Sequence, residues 1–343
     1  MKNLIPFIAA AALAAPGISH AETAYSKPSG YVTLGNPDSN AAIPDITANT
    51  DATVSIPLER APEYSGKISS VSGSNLVLDT NVLPVSGLAG DPATPYQFKI
   101  TSGSQEGLIG LISANTANSV NLGSIIVGDL SGVSANDTFV ISKAWTLGTF
   151  FPSTLPAGTN VLAYSGTVAG SNLASDLAFV WSGTSWFQIS GADNGLENDS
   201  NTILFPGESF IVRSGGAPID GFVVTGNVPL TKSRALITKI NSNAQDNRIS
   251  ITSPVDEPIE NLRGMLPGDN LLTFDNSTSG INKSASEVLV WSGTAWFGVA
   301  GVSGDQTGLY KLKSGQGYVL RRSAGAPIGD GEISIEQNYL DDL

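Results

Sequence analysis

The sequence predicts an all-β protein built from two related β-sandwich or barrel-like modules, the first carrying an inserted small β-barrel or meander. Composition, missing helical periodicity and internal self-similarity predict it. Thirty-eight glycines and many Ser, Thr and Asn residues separate short Val/Ile/Leu/Phe runs. Short apolar runs between turn residues read as strands. Beyond the first twenty or so residues no long stretch repeats its apolar positions every 3.6 residues; only Glu257-Pro258-Ile259-Glu260-Asn261-Leu262 reads as a single helical turn.

Self-similarity is the strongest signal, because a fixed spacing between like segments marks a repeated structural unit. Val180-Trp181-Ser182-Gly183-Thr184-Ser185-Trp186-Phe187 returns 110 residues later as Val290-Trp291-Ser292-Gly293-Thr294-Ala295-Trp296-Phe297. The same offset pairs Gly158 with Gly268, Asn160 with Asn270, Gly170 with Gly280 and Asn172 with Asn282. Gly207-Glu208-Ser209-Phe210-Ile211-Val212-Arg213 matches Gly315-Gln316-Gly317-Tyr318-Val319-Leu320-Arg321 at an offset of 108. Upstream, Pro57-Leu58 matches Pro229-Leu230 and Lys67-Ile68 matches Lys239-Ile240 at an offset of 172. The larger offset places 62 extra residues in the first copy, after about Thr80 and before about Leu155. Apolar runs such as Tyr96–Ile100, Leu108–Ile112 and Phe139–Ile141 give that insert strands of its own. The expected divisions are residues 1–21, a signal peptide; 22–53, an N-terminal segment; 54–228, a first module with an inserted subdomain at about 80–145; and 229–343, a second module that keeps only a hairpin near Lys239 to Ile251.

Lys2, the apolar run from Leu4 to Ala15, and Ser19-His20-Ala21 form the three regions of a secretory signal, with cleavage expected after Ala21. The run is too short for a membrane span, which needs about 20 apolar residues. Cleavage removes His20, the only histidine, and leaves 16 Lys+Arg against 30 Asp+Glu, a formal charge of −14. Such a surface disfavours nucleic acid, whose phosphates demand Lys and Arg. The expected address is therefore the periplasm, the cell surface or the medium, with a glycan or a cell-envelope protein as partner.

With no cysteine and no mature histidine, a Ser-His-Asp triad, a Cys-His pair and the usual zinc sites have no residues to form them. The expectation is no catalytic residue and no cofactor. Calcium is the metal whose ligands are present, since it takes oxygen alone; Asp193, Asn194, Glu197 and Asp199 are the candidate ligands, and a solvated acidic loop is the competing reading. Trp181, Trp186, Trp291 and Trp296 admit two readings. Flanking a four-residue turn, each pair faces across a hairpin and fills the module core together with Phe187 and Phe297; exposed, the same indoles would be glycan contacts stacking on pyranose faces. Gly207 and Gly315 read as turn glycines needing positive φ. Arg213 and Arg321 read as edge-strand or solvated cations, with a carboxylate grip as the alternative.

Leu266-Pro267-Gly268-Asp269-Asn270, Asn282-Lys283-Ser284-Ala285-Ser286, Val290-Trp291-Ser292-Gly293 and Gly315-Gln316-Gly317-Tyr318-Val319-Leu320-Arg321-Arg322, with Val54–Leu58 and Trp145–Gly148, resemble an uncharacterised family of exported bacterial β-repeat proteins of verrucomicrobial type. The resemblance spans most of the mature chain. It implies export and the β-module architecture, and carries no activity or catalytic residue. The resulting expectation is an exported, non-catalytic β-module protein with a structural, adhesive or surface-interaction role. The alternative is carbohydrate binding through the paired tryptophans; a carboxylate-dependent glycan hydrolase and an outer-membrane barrel are lesser readings.

Overall fold

The computed structural model describes residues 29–34, 45–79, 81, 83–89, 91–190 and 197–337. The expected signal peptide, residues 1–21, lies outside the described residues. Among the described residues the regular secondary structure is nearly all strand, as the turn-rich composition leads one to expect, with one four-residue α-helix at Leu147–Phe150 and 3-10 turns at Leu130–Gly132 and Ile259–Asn261. The last of these is the helical turn expected at Glu257 to Leu262.

Two large antiparallel sheets carry the architecture. The first runs, edge to edge, Trp186–Ser190, Leu177–Trp181, Asn160–Ala163, Ser209–Arg213 and Asp51–Ser55. The second runs Gln245–Ser250, Gly317–Arg322, Asn270–Thr273, Glu287–Trp291, Trp296–Ala300 and Gly304–Asp305. Each buries one face under a smaller sheet. Ser29–Leu34 pairs with Phe222–Asn227 over the first; Ser233–Lys239, Gly329–Ile335 and Leu262–Arg263 form the cover of the second. The period-2 alternation of strands sends Phe210 and Val212 inward on the first sheet and Tyr318 and Leu320 inward on the second. The opposite faces, bearing Ile211 and Arg213 or Val319 and Arg321, are left to the space between the sheets.

Between Asp51–Ser55 and Trp145 the chain makes a closed six-stranded barrel, in the order Pro62–Ser72, Asn75–Leu78, Ser119–Val127, Ile109–Asn115, Tyr96–Ile100 and Thr138–Lys143. Phe98 and Phe139 stack at 4.8 Å in a barrel core that also holds Leu76, Ile100, Val120 and Ile141. Closure leaves no sheet edge unpaired.

Two sequence expectations need correction here. The barrel begins at Pro62 rather than near residue 80, because Pro62–Ser72 pairs with Thr138–Lys143 to close it. Lys67-Ile68 therefore belongs to the barrel, and its match to Lys239-Ile240 has no structural counterpart. The strand beside Ser209–Arg213 is Asp51–Ser55, and the strand beside Gly317–Arg322 is Gln245–Ser250, with Asp51 opposite Arg213 and Asp246 opposite Arg321. Nor is Lys239 to Ile251 a hairpin: Ser233–Lys239 pairs with Gly329–Ile335, and Gln245–Ser250 pairs with Gly317–Arg322. Dipeptides such as Pro-Leu and Lys-Ile recur too easily to fix a register.

Glycine at two junctions is dictated by close approach as well as conformation. Gly207 has φ +89°, and a Cβ there would stand 2.3 Å from the Arg234 carbonyl oxygen; Gly315 has φ +78°, and its Cβ would meet Leu34 at 2.5 Å. Both positions match the turn role read from sequence.

Candidate functional site

The two large sheets face each other across a cleft of about 1600 Å³. Two clamps hold it. In the first, Arg213 Nε and Nη2 donate to Asp51 Oδ1 and Oδ2 at 2.6 and 2.9 Å, and Nη2 also donates to Asn282 Oδ1 at 2.8 Å. The Asn282 amide N–H donates to Asp51 Oδ2 at 2.7 Å, and the Asp51 N–H donates to the Gly280 carbonyl at 3.0 Å. In the second clamp, Arg321 bonds Asp246 at 2.7 and 3.0 Å and Asn172 at 2.8 Å. The Asn172 N–H returns to Asp246 at 2.7 Å, and the Asp246 N–H donates to the Gly170 carbonyl at 2.9 Å. Each sheet thus offers an Asp–Arg fork that grips a loop belonging to the other.

The loop residues have the backbone the clamp demands. Asn172 and Asn282 sit at φ 55° and 52°, and Gly170 and Gly280 at φ 124° and 121°. Asparagine tolerates the left-handed region and glycine the extreme positive one. Bidentate guanidinium–carboxylate geometry adds direction to charge, and the Asp51 and Asp246 side chains are only 6% and 11% exposed. The carboxylate grip that sequence offered as the alternative is what Arg213 and Arg321 do, and the solvated reading is corrected.

Around the clamps the apposed faces are tied by further polar contacts. Asn276 bridges both backbone groups of Thr53, at 2.9 and 3.1 Å, and the Ser209 hydroxyl donates to the Tyr318 carbonyl at 3.2 Å. The Arg248 guanidinium lies 4.3 Å from the Tyr164 ring centre and 5.7 Å from that of Phe274, and donates to the Tyr164 hydroxyl at 2.8 Å. Ring faces are attractive to cations, and so stabilise a charge that has no carboxylate beside it.

One cleft residue is treated differently. Glu208 precedes the strand Ser209–Arg213, and among the described residues its carboxyl has no hydrogen-bond or ion-pair partner. Its side chain is exposed to the cleft, and loss of part of its hydration to the protein around it raises its carboxyl, to about 7. The matching residue, Gln316, donates its amide to the Phe274 carbonyl at 3.1 Å. A carboxylate has no proton to make such a bond. The substitution of Glu for Gln between otherwise matching segments was visible in the sequence, and was the one signal that could have singled out this position.

Three of the four tryptophans are too buried for glycan contact. Trp181, Trp186 and Trp296 are 6%, 1% and 1% exposed, and the half-buried Trp291 packs against the second core. The rings pair at 5.5 Å (Trp181 and Trp186) and 5.4 Å (Trp291 and Trp296), tilted by 46° and 49°. Trp181 Nε1 also donates to the Leu155 carbonyl. Buried indoles offer no face to a pyranose, so Trp181, Trp186 and Trp296 are core, while Trp291 packs against the core with part of its surface exposed. Phe187 and Phe297 are corrected in the other direction: they point away from the core, and Phe297 is 39% exposed. Between each pair the serine hydroxyl of Ser182 or Ser292 accepts from two following N–H groups, closing the expected hairpin turn.

Of the calcium candidates, Asp193 and Asn194 lie outside the described residues. Glu197 is exposed, and Asp199 uses its carboxylate to accept the Gln188 N–H at 2.6 Å. Among the described residues no group of three or more His, Asp or Glu side chains converges as metal ligands. Nor is any helix among them long and apolar enough to cross a membrane.

Cleft and clamps define the chain as an all-β protein whose two apposed sheets enclose a large, mainly apolar space. Comparison with protein-family models, curated proteins and solved structures finds no match to this chain.

Proposed function

We propose that the chain is an exported, non-catalytic β-module protein, descended by duplication of one module, that serves a structural, adhesive or surface-interaction role outside the cytoplasm. The observation that supports this most is the reciprocal pair of Asp–Arg–Asn clamps. They commit four charged side chains to joining two halves, which is what a scaffold needs and what a hydrolytic site cannot spare. The barrel is tied in by the same logic: Arg234, 6% exposed, donates to the Glu106 and Ser104 carbonyls at 2.7 and 2.9 Å and to Glu332 at 2.7 Å. A structure fastened in this way presents a fixed surface to partners, and fixed surfaces lose less conformational freedom on binding. Membership of the exported β-repeat family that the sequence resembles belongs to the same proposal.

The test is to express the full chain in a Gram-negative host, fractionate the cells and sequence the N-terminus of the recovered protein. The expected product begins at Glu22 and is found outside the cytoplasm. Protein retained in the cytoplasm with its first residues intact would overturn the proposal.

A further inference from the structure

A second opening lies where the barrel meets the first module. It encloses about 750 Å³, within the range of about 300–1,000 Å³ common for ligand pockets. The strands Ser29–Leu34 and Phe222–Asn227 meet there with the segments that enter and leave the barrel, which carry Arg60 and Trp145. The register of the two strands sets Tyr31 opposite Thr225 and Ser29 opposite Asn227, so Tyr31, Thr225 and Asn227 share the face turned away from the core. Glu59 and Asn227 exchange backbone N–H···O bonds at 3.0 and 2.8 Å. Gly226 permits that approach, since a Cβ there would stand 2.5 Å from the Glu59 carbonyl oxygen. Arg60, the next residue, is thereby held beside Asn227.

The charge of Arg60 is left unanswered by its own chain. Glu59 pairs with Lys99. Glu63 pairs with Lys143 at 3.0 Å and accepts from the Tyr96 hydroxyl at 2.7 Å. Among the described residues Arg60 has no hydrogen bond or ion pair. Its guanidinium carbon lies 5.1 Å from the centre of the Trp145 ring, and that ring is fixed by its Nε1 bond to the Leu58 carbonyl at 2.9 Å. A ring face steadies a cation and leaves the N–H fork of the guanidinium for a bidentate acceptor. In a chain of formal net charge −13, an arginine passed over by both neighbouring acids is set apart from the other cations. Beside it Tyr31 is 73% exposed, and the Asn227 amide and Thr225 hydroxyl make no hydrogen bond among the described residues.

We propose that this pocket binds a uronic acid residue of a glycan, its carboxylate forked by Arg60, its pyranose ring against Tyr31 and its hydroxyls bonded by Asn227 and Thr225. The inference goes beyond the surface role proposed above and does not depend on export. One guanidinium balances one negative charge, and Glu59 and Glu63 close by disfavour a second, which sets a carboxylate above a phosphate dianion. A bare carboxylate would leave Tyr31, Asn227 and Thr225 unused. A pyranose has an apolar face for the ring and hydroxyls that both donate to and accept from an amide and a hydroxyl.

Isothermal titration of the purified full chain at pH 7 with methyl glucuronide, methyl glucoside, acetate and inorganic phosphate tests the proposal. Methyl glucuronide should bind about tenfold or more tighter than methyl glucoside, the effect of one charged hydrogen bond, and tighter than acetate or phosphate, which lack the ring. Arg60→Gln should reduce methyl glucuronide to the affinity of the glucoside. Tyr31→Ala, at a position 73% exposed and so tolerant of truncation, should weaken both sugars and leave acetate unchanged. The ranking of the four probes by the unaltered chain tests the same claim if a variant fails to fold. No binding of methyl glucuronide, equal binding of the glucoside, acetate or phosphate, or unchanged binding to Arg60→Gln would each overturn it.

Discussion

Replacing Arg213 with Met removes one clamp while keeping most of the side-chain volume. The loss has three parts: the bond to Asp51 Oδ1 at 2.6 Å, the bond to Oδ2 at 2.9 Å, and the reach across to Asn282 at 2.8 Å. Exposed ion pairs contribute about 0–1 kcal/mol, whereas breaking a buried pair costs about 3–5 kcal/mol, because the surviving charge is stranded. Here the arginine side chain is 25% exposed and the aspartate only 6%. The stranded group is the well-buried one, although it keeps the Asn282 N–H. The expected destabilisation is therefore about 3 kcal/mol, at the low end of the buried range. Equilibrium urea unfolding followed by tryptophan fluorescence measures it, since both indole pairs report on the modules that the clamp joins. Arg321→Met should match Arg213→Met within about 1 kcal/mol, as the two forks share their geometry and context effects are of that order. Asp51→Leu combined with Arg213→Met should cost less than Arg213→Met alone, because no charge is left behind. A loss below about 0.5 kcal/mol, the size of an ordinary surface substitution, would refute the idea that the clamp holds the halves together.

Three further outcomes follow from the packing and the cleft. Trp186→Ala should cost about 3–5 kcal/mol, as expected for a large aromatic lost from a core, and Trp291→Ala distinctly less, because its ring is half-buried; thermal melts of the two variants would rank them, and equal losses would contradict the burial difference. Gly207→Ala should destabilise by more than the roughly 1 kcal/mol of a helical Gly/Ala exchange, since its Cβ would collide with the Arg234 carbonyl oxygen at positive φ; chemical denaturation checks this. For Glu208 the carboxyl is raised from 4.5 to about 7 in the folded state, so between those values the native protein holds a proton that the unfolded chain has released. Stability then falls as pH rises through that window. Glu208→Gln should accordingly gain stability over the unaltered chain at pH 8 and lose the advantage at pH 4, and a difference that does not vary with pH would exclude this titration.

The fold class was legible because strands and turns leave a local imprint. The serine-glycine turns between the tryptophan pairs, the positive φ at Gly207 and Gly315, and the helical turn at Ile259–Asn261 depend on residues within a few positions of one another. The barrel boundary was not legible in the same way. Pro62–Ser72 is defined by its pairing with Thr138–Lys143, some seventy residues on, and a two-residue match cannot compete with a long-range register. The clamps were half legible. Gly170, Asn172, Gly280 and Asn282 were visible as matched positions, and Arg213 and Arg321 as matched arginines, but nothing local connects Arg213 to Asn282. Asp51 and Asp246 were missed because the upstream segments had been placed in the wrong register.

That miss bears on how the two halves differ. At the two clamps that join the halves, the matched positions agree: Asp51 with Asp246, Arg213 with Arg321, Asn172 with Asn282, and Gly170 with Gly280. Each residue of one fork has its counterpart in the other, so altering one without its partners would break the joint. Away from the joint, the halves diverge in ways that each half absorbs alone. Arg322 pairs with the fully buried Asp269 in the second half, where the first half has Ser214 and Thr159, both also buried. At the cleft the divergence is of another kind. Gln316 finishes a hydrogen bond that Glu208 leaves open, and nothing else in the first half compensates among the described residues. Glu208 is exposed at the cleft, as Asp330 is, so its charge is left to solvent where Gln316 turns its amide back onto the chain.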